Sequence, residues 1–217
     1  EIADGDWSSD VCSSDLYSDG EAAVFDPLQA FTDRYLADTE DLGVKLAYAF
    51  DTHIHADHIS GLRDLQAVSD VEAALPTPAI ERGVTYDDRV TGVNDGDTFT
   101  IGSAIAEGVH TPGHTTGRTS YLIDDQVLLT GDGLFTESVA RPDLEEGDEG
   151  APEAARMLYQ TFQDRVLPLD DDVIIAPGHT SESADPQPDG TFTARLGDLE
   201  DRMSILQMDE SDFVDRI

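Results

Sequence analysis

The residues best suited to chemistry lie in one octet, Asp51-Thr52-His53-Ile54-His55-Ala56-Asp57-His58. It follows the apolar run Leu46-Ala47-Tyr48-Ala49-Phe50, which reads as a buried strand. Imidazole and carboxylate together form a ligand set for zinc or iron. On a helix, ligands sharing a face would be three or four apart. Here His53 and His55 are two apart and His58 adjoins Asp57. That spacing suits a loop folded around an ion at the end of a strand.

The same arrangement recurs further along the chain. Ala104–Val109, Val127–Leu129 and Val173–Ala176 read as strands. They run into Thr111-Pro112-Gly113-His114-Thr115, Thr130-Gly131-Asp132-Gly133 and Pro177-Gly178-His179 respectively. A single histidine after a strand is more often a surface or core residue. Four strand ends each carrying a ligand-type side chain point instead to convergence at one sheet edge, where sites in α/β folds commonly form. The candidate ligands are therefore His53, His55, Asp57, His58, His114, Asp132 and His179. His110, the remaining histidine, is expected to orient its loop or to pack.

Other elements must position these loops. Ala22–Phe25 reads as a strand, and Leu28–Leu42 as a helix stopped by Gly43. A helix over Ile59–Val68 would place His58 near a helix N-terminus, where the dipole disfavours a protonated imidazole. Val71–Leu75 is an expected strand. Asp95-Gly96 signals a hairpin between Val93 and Phe99. Thr98–Ile101 turns at Gly102-Ser103 into the next strand, and Ser120–Ile123 turns at Asp124-Asp125. Glu145–Gly150 reads as a surface loop, Glu153–Leu167 as a helix with Pro152 in its first turn, and Leu196–Met208 as a last amphipathic helix. The expectation is one mixed α/β domain over residues 17–217.

Composition narrows the function classes. The 217 residues carry 47 Asp and Glu against 12 Lys and Arg, a formal net charge of −35, and Lys45 is the only lysine. The acids are spread through apolar-periodic segments, unlike a disordered acidic tail. Such a surface repels nucleic acid and anionic membranes. It resembles the surfaces of proteins from salt-accumulating haloarchaea. No apolar run reaches membrane-span length and no secretory pattern is visible, so a cytoplasmic location is expected. Residues 6–16, Asp-Trp-Ser-Ser-Asp-Val-Cys-Ser-Ser-Asp-Leu, read like the translation of a DNA-sequencing adapter. Residues 1–16 are accordingly expected to be an artefact or a disordered terminus, with chain ends that stop short of the natural ones. The only cysteine, Cys12, and the only tryptophan, Trp7, fall inside this segment, which leaves no thiol for catalysis.

Taken in order, Thr-His-Ile-His-Ala-Asp-His, Thr-Pro-Gly-His-Thr, Thr-Gly-Asp and Pro-Gly-His resemble the metallo-β-lactamase superfamily. The resemblance implies an αββα sandwich, two mixed β-sheets flanked by helices with a metal site at one edge. Two branches compete. Resemblance to glyoxalase II implies two Zn²⁺ ions, one on His53, His55 and His114, the other on Asp57, His58 and His179, with Asp132 bridging, in a hydrolase acting on a thioester. Resemblance to the persulfide dioxygenases implies one Fe(II) on His53, His114 and Asp132, a mono-iron core for oxidising a small thiol persulfide with O₂ to sulfite and thiol. Asp57 and His58 would then be catalytic proton carriers.

Three features lean toward the dioxygenase branch. Ala56 stands where glyoxalase II usually has a bulky residue. The stretch Gly-Asp-Gly-Leu-Phe…Ala-Arg-Pro-Asp-Leu also resembles the dioxygenases. Only 38 residues, 180–217, follow His179, where glyoxalase II carries a helical domain. Thr180-Ser181 departs from the Asp-Tyr usual in that branch, and Ala140 and Pro142 flank Arg141, the candidate substrate contact. A homodimer, and a rhodanese partner or fused domain beyond Ile217, complete the expectations. The non-enzymatic alternative is a metal- or persulfide-binding module.

Overall fold

A computed structural model of the protein describes residues 2–4, 14–84, 90–145, 147–180, 184–188 and 190–217. The chain runs β1 (Ile2–Asp4), β2 (Ser14–Ser18), β3 (Glu21–Phe25), a 3₁₀ turn (Gln29–Phe31), α1 (Thr32–Leu42), β4 (Lys45–Phe50), α2 (Leu62–Val68), β5 (Glu72–Pro76), α3 (Thr77–Glu81) and β6 (Val90–Val93). It continues through β7 (Thr98–Ile101), β8 (Ala104–His110), β9 (Thr119–Ile123), β10 (Val127–Gly131), α4 (Gly147–Thr161), β11 (Ile174–Pro177), β12 (Ala194–Arg195), α5 (Leu196–Arg202) and α6 (Glu210–Arg216).

These strands form two six-stranded sheets, β1-β2-β3-β4-β5-β6 and β12-β11-β10-β9-β8-β7. Both are mixed. β3 to β6 pair in parallel and β1 to β3 antiparallel. In the second sheet only β10 and β11 are parallel. Strands buried on both faces need apolar residues throughout, and β3 shows why. Ala23 and Phe25 face the second sheet, while Ala22 and Val24 pack with Tyr35 of α1 and Leu62 and Leu65 of α2. The outer face of the second sheet packs Leu122 and Leu128 against Leu158 of α4, Leu199 of α5 and Phe213 of α6. The result is the expected αββα sandwich. Between the sheets, Phe25 stacks on Phe50 at 4.7 Å and Tyr121 tilts against Phe50 at 4.8 Å. The Tyr121 hydroxyl donates to the Asp51 carbonyl at 3.2 Å, tying this aromatic floor to the histidine loop.

Several expected elements are corrected. Asp95-Gly96 is a turn, with Gly96 at φ +83°, but it is no hairpin. β6 closes the first sheet against β5 and β7 edges the second against β8, so the turn carries the chain between sheets. Turn chemistry specifies the bend but not which strands pair. The helix expected from Ile59 begins at Leu62, because Ile59–Gly61 lies along residues 27–29: Gly61 N–H donates to the Pro27 carbonyl at 2.6 Å. His58 is therefore not at a helix N-terminus, and its Nδ1 is bonded to Asp57 instead. α4 begins at Gly147, earlier than read, absorbing much of the expected loop; Glu146 is outside the described residues. Acids in its first turn favour that start. Pro152 lies inside the helix, where it cannot donate to the Asp148 carbonyl. The final helix breaks at Met203, which is extended, and resumes as α6 with Asp209 capping Asp212 N–H at 3.0 Å. Ser14–Leu16, the end of the adapter-like segment, lies in β2 with Leu16 buried; residues 5–13 lie outside the described residues.

Candidate metal centre

The four strands expected to deliver ligands are β4, β8, β10 and β11, and their C-terminal ends lie together. His53 is almost fully buried. Its Nδ1 is 2.9 Å from the Thr52 hydroxyl, which in turn lies 2.9 Å from Asp26 Oδ2. The hydroxyl donates to the carboxylate, so it must accept from His53 Nδ1–H. The tautomer is thereby fixed, and Nε2 carries a free lone pair. Burial first, then the neighbouring His55, push the His53 pKa down to about 3, which keeps the ring neutral.

His114 is set in the same way. Its Nδ1 donates to the Arg141 carbonyl at 3.3 Å, leaving Nε2 as an acceptor, and burial lowers its pKa. The two Nε2 atoms face Asp132 Oδ2 at 3.8 and 3.6 Å. Three acceptor atoms converge with no proton between them, an arrangement that repels itself until a cation enters. Ligands on bonds of ~2.1 Å stand ~3.0–3.4 Å apart, so a small closure would complete the shell. This donor set fits a two-histidine, one-carboxylate metal site.

The other predicted ligands form a second group. His55, Asp57 and His58 offer ligand atoms within 4.8 Å of one another. His55 Nε2 donates to Asp26 Oδ1 at 2.8 Å; burial opposes a charge there, yet Asp26 raises the His55 pKa to about 9. Burial likewise opposes the Asp26 charge, but His55 and the Thr52 N–H bring its pKa down to about 2. His55 Nδ1 and His58 Nε2 are buried without a hydrogen-bond partner. His179 bridges the groups: Nδ1 contacts Asp132 Oδ1, and Nε2 lies 3.0 Å from Asp57 Oδ2. Those carboxylates outweigh burial and raise its pKa to about 9. Asp51, buried beside Asp26, is pushed up to about 7, chiefly by burial.

A cavity of about 370 Å³ opens onto His53, Asp57, His114, Asp132 and His179. Its wall is mostly apolar, with Ile54, Ala56, Pro78, Ala79 and Leu144. Arg82 and Glu145 pair at its side, and both bind Thr116 beside the His114 loop. Arg141 is not among the lining residues. Its side chain is 71% exposed and forms an ion pair with Asp143. His110, outside the cluster, bonds to the Thr116 carbonyl at 3.2 Å.

The pattern that defines the metallo-beta-lactamase superfamily matches residues 11–179. The chain belongs to this superfamily. Among its relatives, the mitochondrial persulfide dioxygenase ETHE1 of Mus musculus is 29% identical over 166 residues, covering 73% of this chain and 59% of that protein. The hydroxyacylglutathione hydrolase of Brucella anthropi is 33% identical over 178 residues, covering 78% of this chain and 63% of that protein. The crystal structure of ETHE1 from Myxococcus xanthus superposes with a TM-score of 0.81 at 24% identity, over 99% of this chain and 88% of that one. The chain spans about three-fifths of the length of these curated relatives. As a metallo-beta-lactamase superfamily member it carries a metal-binding His/Asp cluster on a fold used mostly by metal-dependent enzymes.

Sequence reasoning passed over Asp26, Asp51 and Thr52 as site residues. Asp26 had a signal, since Asp26-Pro27 ends β3 beside β4 and is a fifth polar strand end at the same edge. Arg118 had none: nothing in Gly117-Arg118-Thr119 marks a buried cation.

Proposed function

We propose that the protein oxidises a low-molecular-weight thiol persulfide with O₂, by RSSH + O₂ + H₂O → RSH + SO₃²⁻ + 2 H⁺. The observation that carries this reading is the tight, buried convergence of His53 Nε2, His114 Nε2 and Asp132 Oδ2, one carboxylate and two neutral imidazoles. An iron(II) ion on that set would supply the one-electron chemistry that lets O₂ react with a sulfur compound. The protein's own residues do the rest. Thr52 and Asp26 fix His53, and the Arg141 carbonyl fixes His114, so no ligand must reorient. Ala56 lines the cavity onto which the centre opens and takes up little of it. Asp57, about half exposed and held ionised by His58 and His179, fixes the His179 ring beside Asp132 through a contact of 3.0 Å to Nε2. The kinship with persulfide dioxygenase ETHE1 supports the same reading.

A second reading has its own observation. The unpartnered His55 Nδ1 and His58 Nε2 suit a second cation beside the first, as a dinuclear zinc thioesterase requires. Kinship with hydroxyacylglutathione hydrolases supports it. The two are separated by supplying the reconstituted protein with a thiol persulfide and with a matching thioester. Persulfide-dependent O₂ uptake with sulfite release is expected. Thioester hydrolysis without O₂ uptake would replace the first reading with the second.

A further inference from the structure

Behind the metal-facing carboxylate lies a charged side chain that the reaction scheme does not use. Arg118 is 1% exposed, the largest of the fully buried side chains among the described residues. Its backbone closes the His114 turn: the Thr111 N–H donates to the Arg118 carbonyl at 2.9 Å. Its Nη1 donates to the Thr130 carbonyl at 2.6 Å, at the base of the Asp132 turn. Its Nε is buried with no hydrogen-bond partner. Among the described residues no carboxylate comes within 4.0 Å of the guanidinium, although a buried arginine ordinarily has one. The guanidinium occupies the room left by Gly133, where a Cβ would meet Nη1 at 1.8 Å. Burial lowers its pKa to about 10 and Asp132 is the acid that acts on it, so it stays charged at neutral pH.

This changes the charge of the centre. With His53 and His114 neutral, Arg118 offsets the Asp132 charge, so a divalent cation on the set sits in surroundings one unit more positive than they would be without the guanidinium. In a chain of net charge −35 the surface repels anions, so a fixed cation shielded from solvent counts where the ligand binds.

We propose that Arg118 is a specificity-determining residue, a buried positive charge behind Asp132 that makes the centre prefer an anionic ligand, such as a persulfide or thiolate, over a neutral one. The proposal rests on the metal-centre reading above, but not on turnover.

The test uses the Co(II)-loaded full chain, titrated with azide as the anion and imidazole as the neutral ligand and followed by visible absorption. R118Q keeps an amide donor without the charge; R118K keeps the charge. For a unit charge several ångströms away in a partly screened interior, R118Q is expected to bind azide on the order of tenfold more weakly. Its imidazole affinity should stay within about twofold, and R118K should stay within about threefold of the unmodified chain for both ligands. Unchanged azide affinity in R118Q would overturn the proposal, as would a parallel loss of azide and imidazole, which marks a merely structural role. Should R118Q fail to fold, R118K still decides: a selective loss of azide despite the retained charge contradicts the assignment. Failure of the unmodified chain to bind Co(II) would instead overturn the metal-centre reading and this inference with it. Co(II) binding with the expected selectivity but no persulfide oxidation would sink only the proposed activity.

Discussion

His53 offers Nε2 to the centre because Thr52 and Asp26 occupy its other side, and Asp26 also holds His55. One carboxylate thus orients two imidazoles. Replacing Asp26 by Asn removes the charge and frees the Thr52 hydroxyl to turn. Metal affinity, measured by chelator competition, is expected to fall about 10- to 100-fold, the usual cost of losing an outer partner of a ligand. The cluster also predicts a pH response of the metal-free chain. His55 and His179 have folded pKa values of about 9, above the ordinary 6.5. The folded state therefore binds more protons between those values, so the stability these groups give is full below 6.5 and is lost as pH rises toward 9. The thermal midpoint of the metal-free chain should fall over that interval. A bound cation repels those protons and lowers both pKa values, so the loaded protein should fall less. Equal slopes in the two forms would show that these histidines do not face the cation.

Strand ends set the site, and glycines let them meet. Gly113, at φ +136°, precedes His114, and a Cβ there would lie 2.5 Å from Leu158 Cβ on α4. Gly113→Ala combines a disfavoured backbone with a clash against a helix. It is expected to cost about 2–3 kcal/mol in denaturant unfolding and to weaken metal binding through His114. A cost under about 0.5 kcal/mol would mean that α4 yields freely. At this scale much was readable in advance. β3, β9, β10 and β11 are apolar runs that need burial, β8 alternates buried and exposed positions, and the turn chemistry at Gly102 and Asp124-Asp125 marks strand ends. What escaped depends on distant partners. Asp95-Gly96 could not reveal that β6 and β7 belong to different sheets. Ile59–Gly61 looks helical until residues 27–29 lie beside it. Arg118 looks like a surface cation until Gly133 makes room for it. The candidate ligands were legible because every group of them follows a strand, four after β4 and one each after β8, β10 and β11; their division into a tight trio and a second group is a matter of packing.

Across the whole molecule the dominant quantity is charge. With 47 acids against 12 basic side chains, the folded chain repels itself at low ionic strength. Raising KCl from ~0.1 M to ~2 M shortens the screening length from ~10 Å to ~3 Å or less, and the thermal midpoint is expected to rise by several degrees or more. A midpoint independent of salt would show that the dispersed carboxylates carry no net strain. Among the described residues no helix is long and apolar enough to cross a membrane. The sandwich carries an acidic surface, and a cavity of about 370 Å³ opens onto the candidate trio His53, His114 and Asp132. The claim at the centre of this account is that His53, His114 and Asp132 hold a single iron. The most direct test is the metal content of anaerobically purified protein, alongside D132A. One iron per chain, lost in D132A, is the predicted result. Two zinc ions per chain would contradict it.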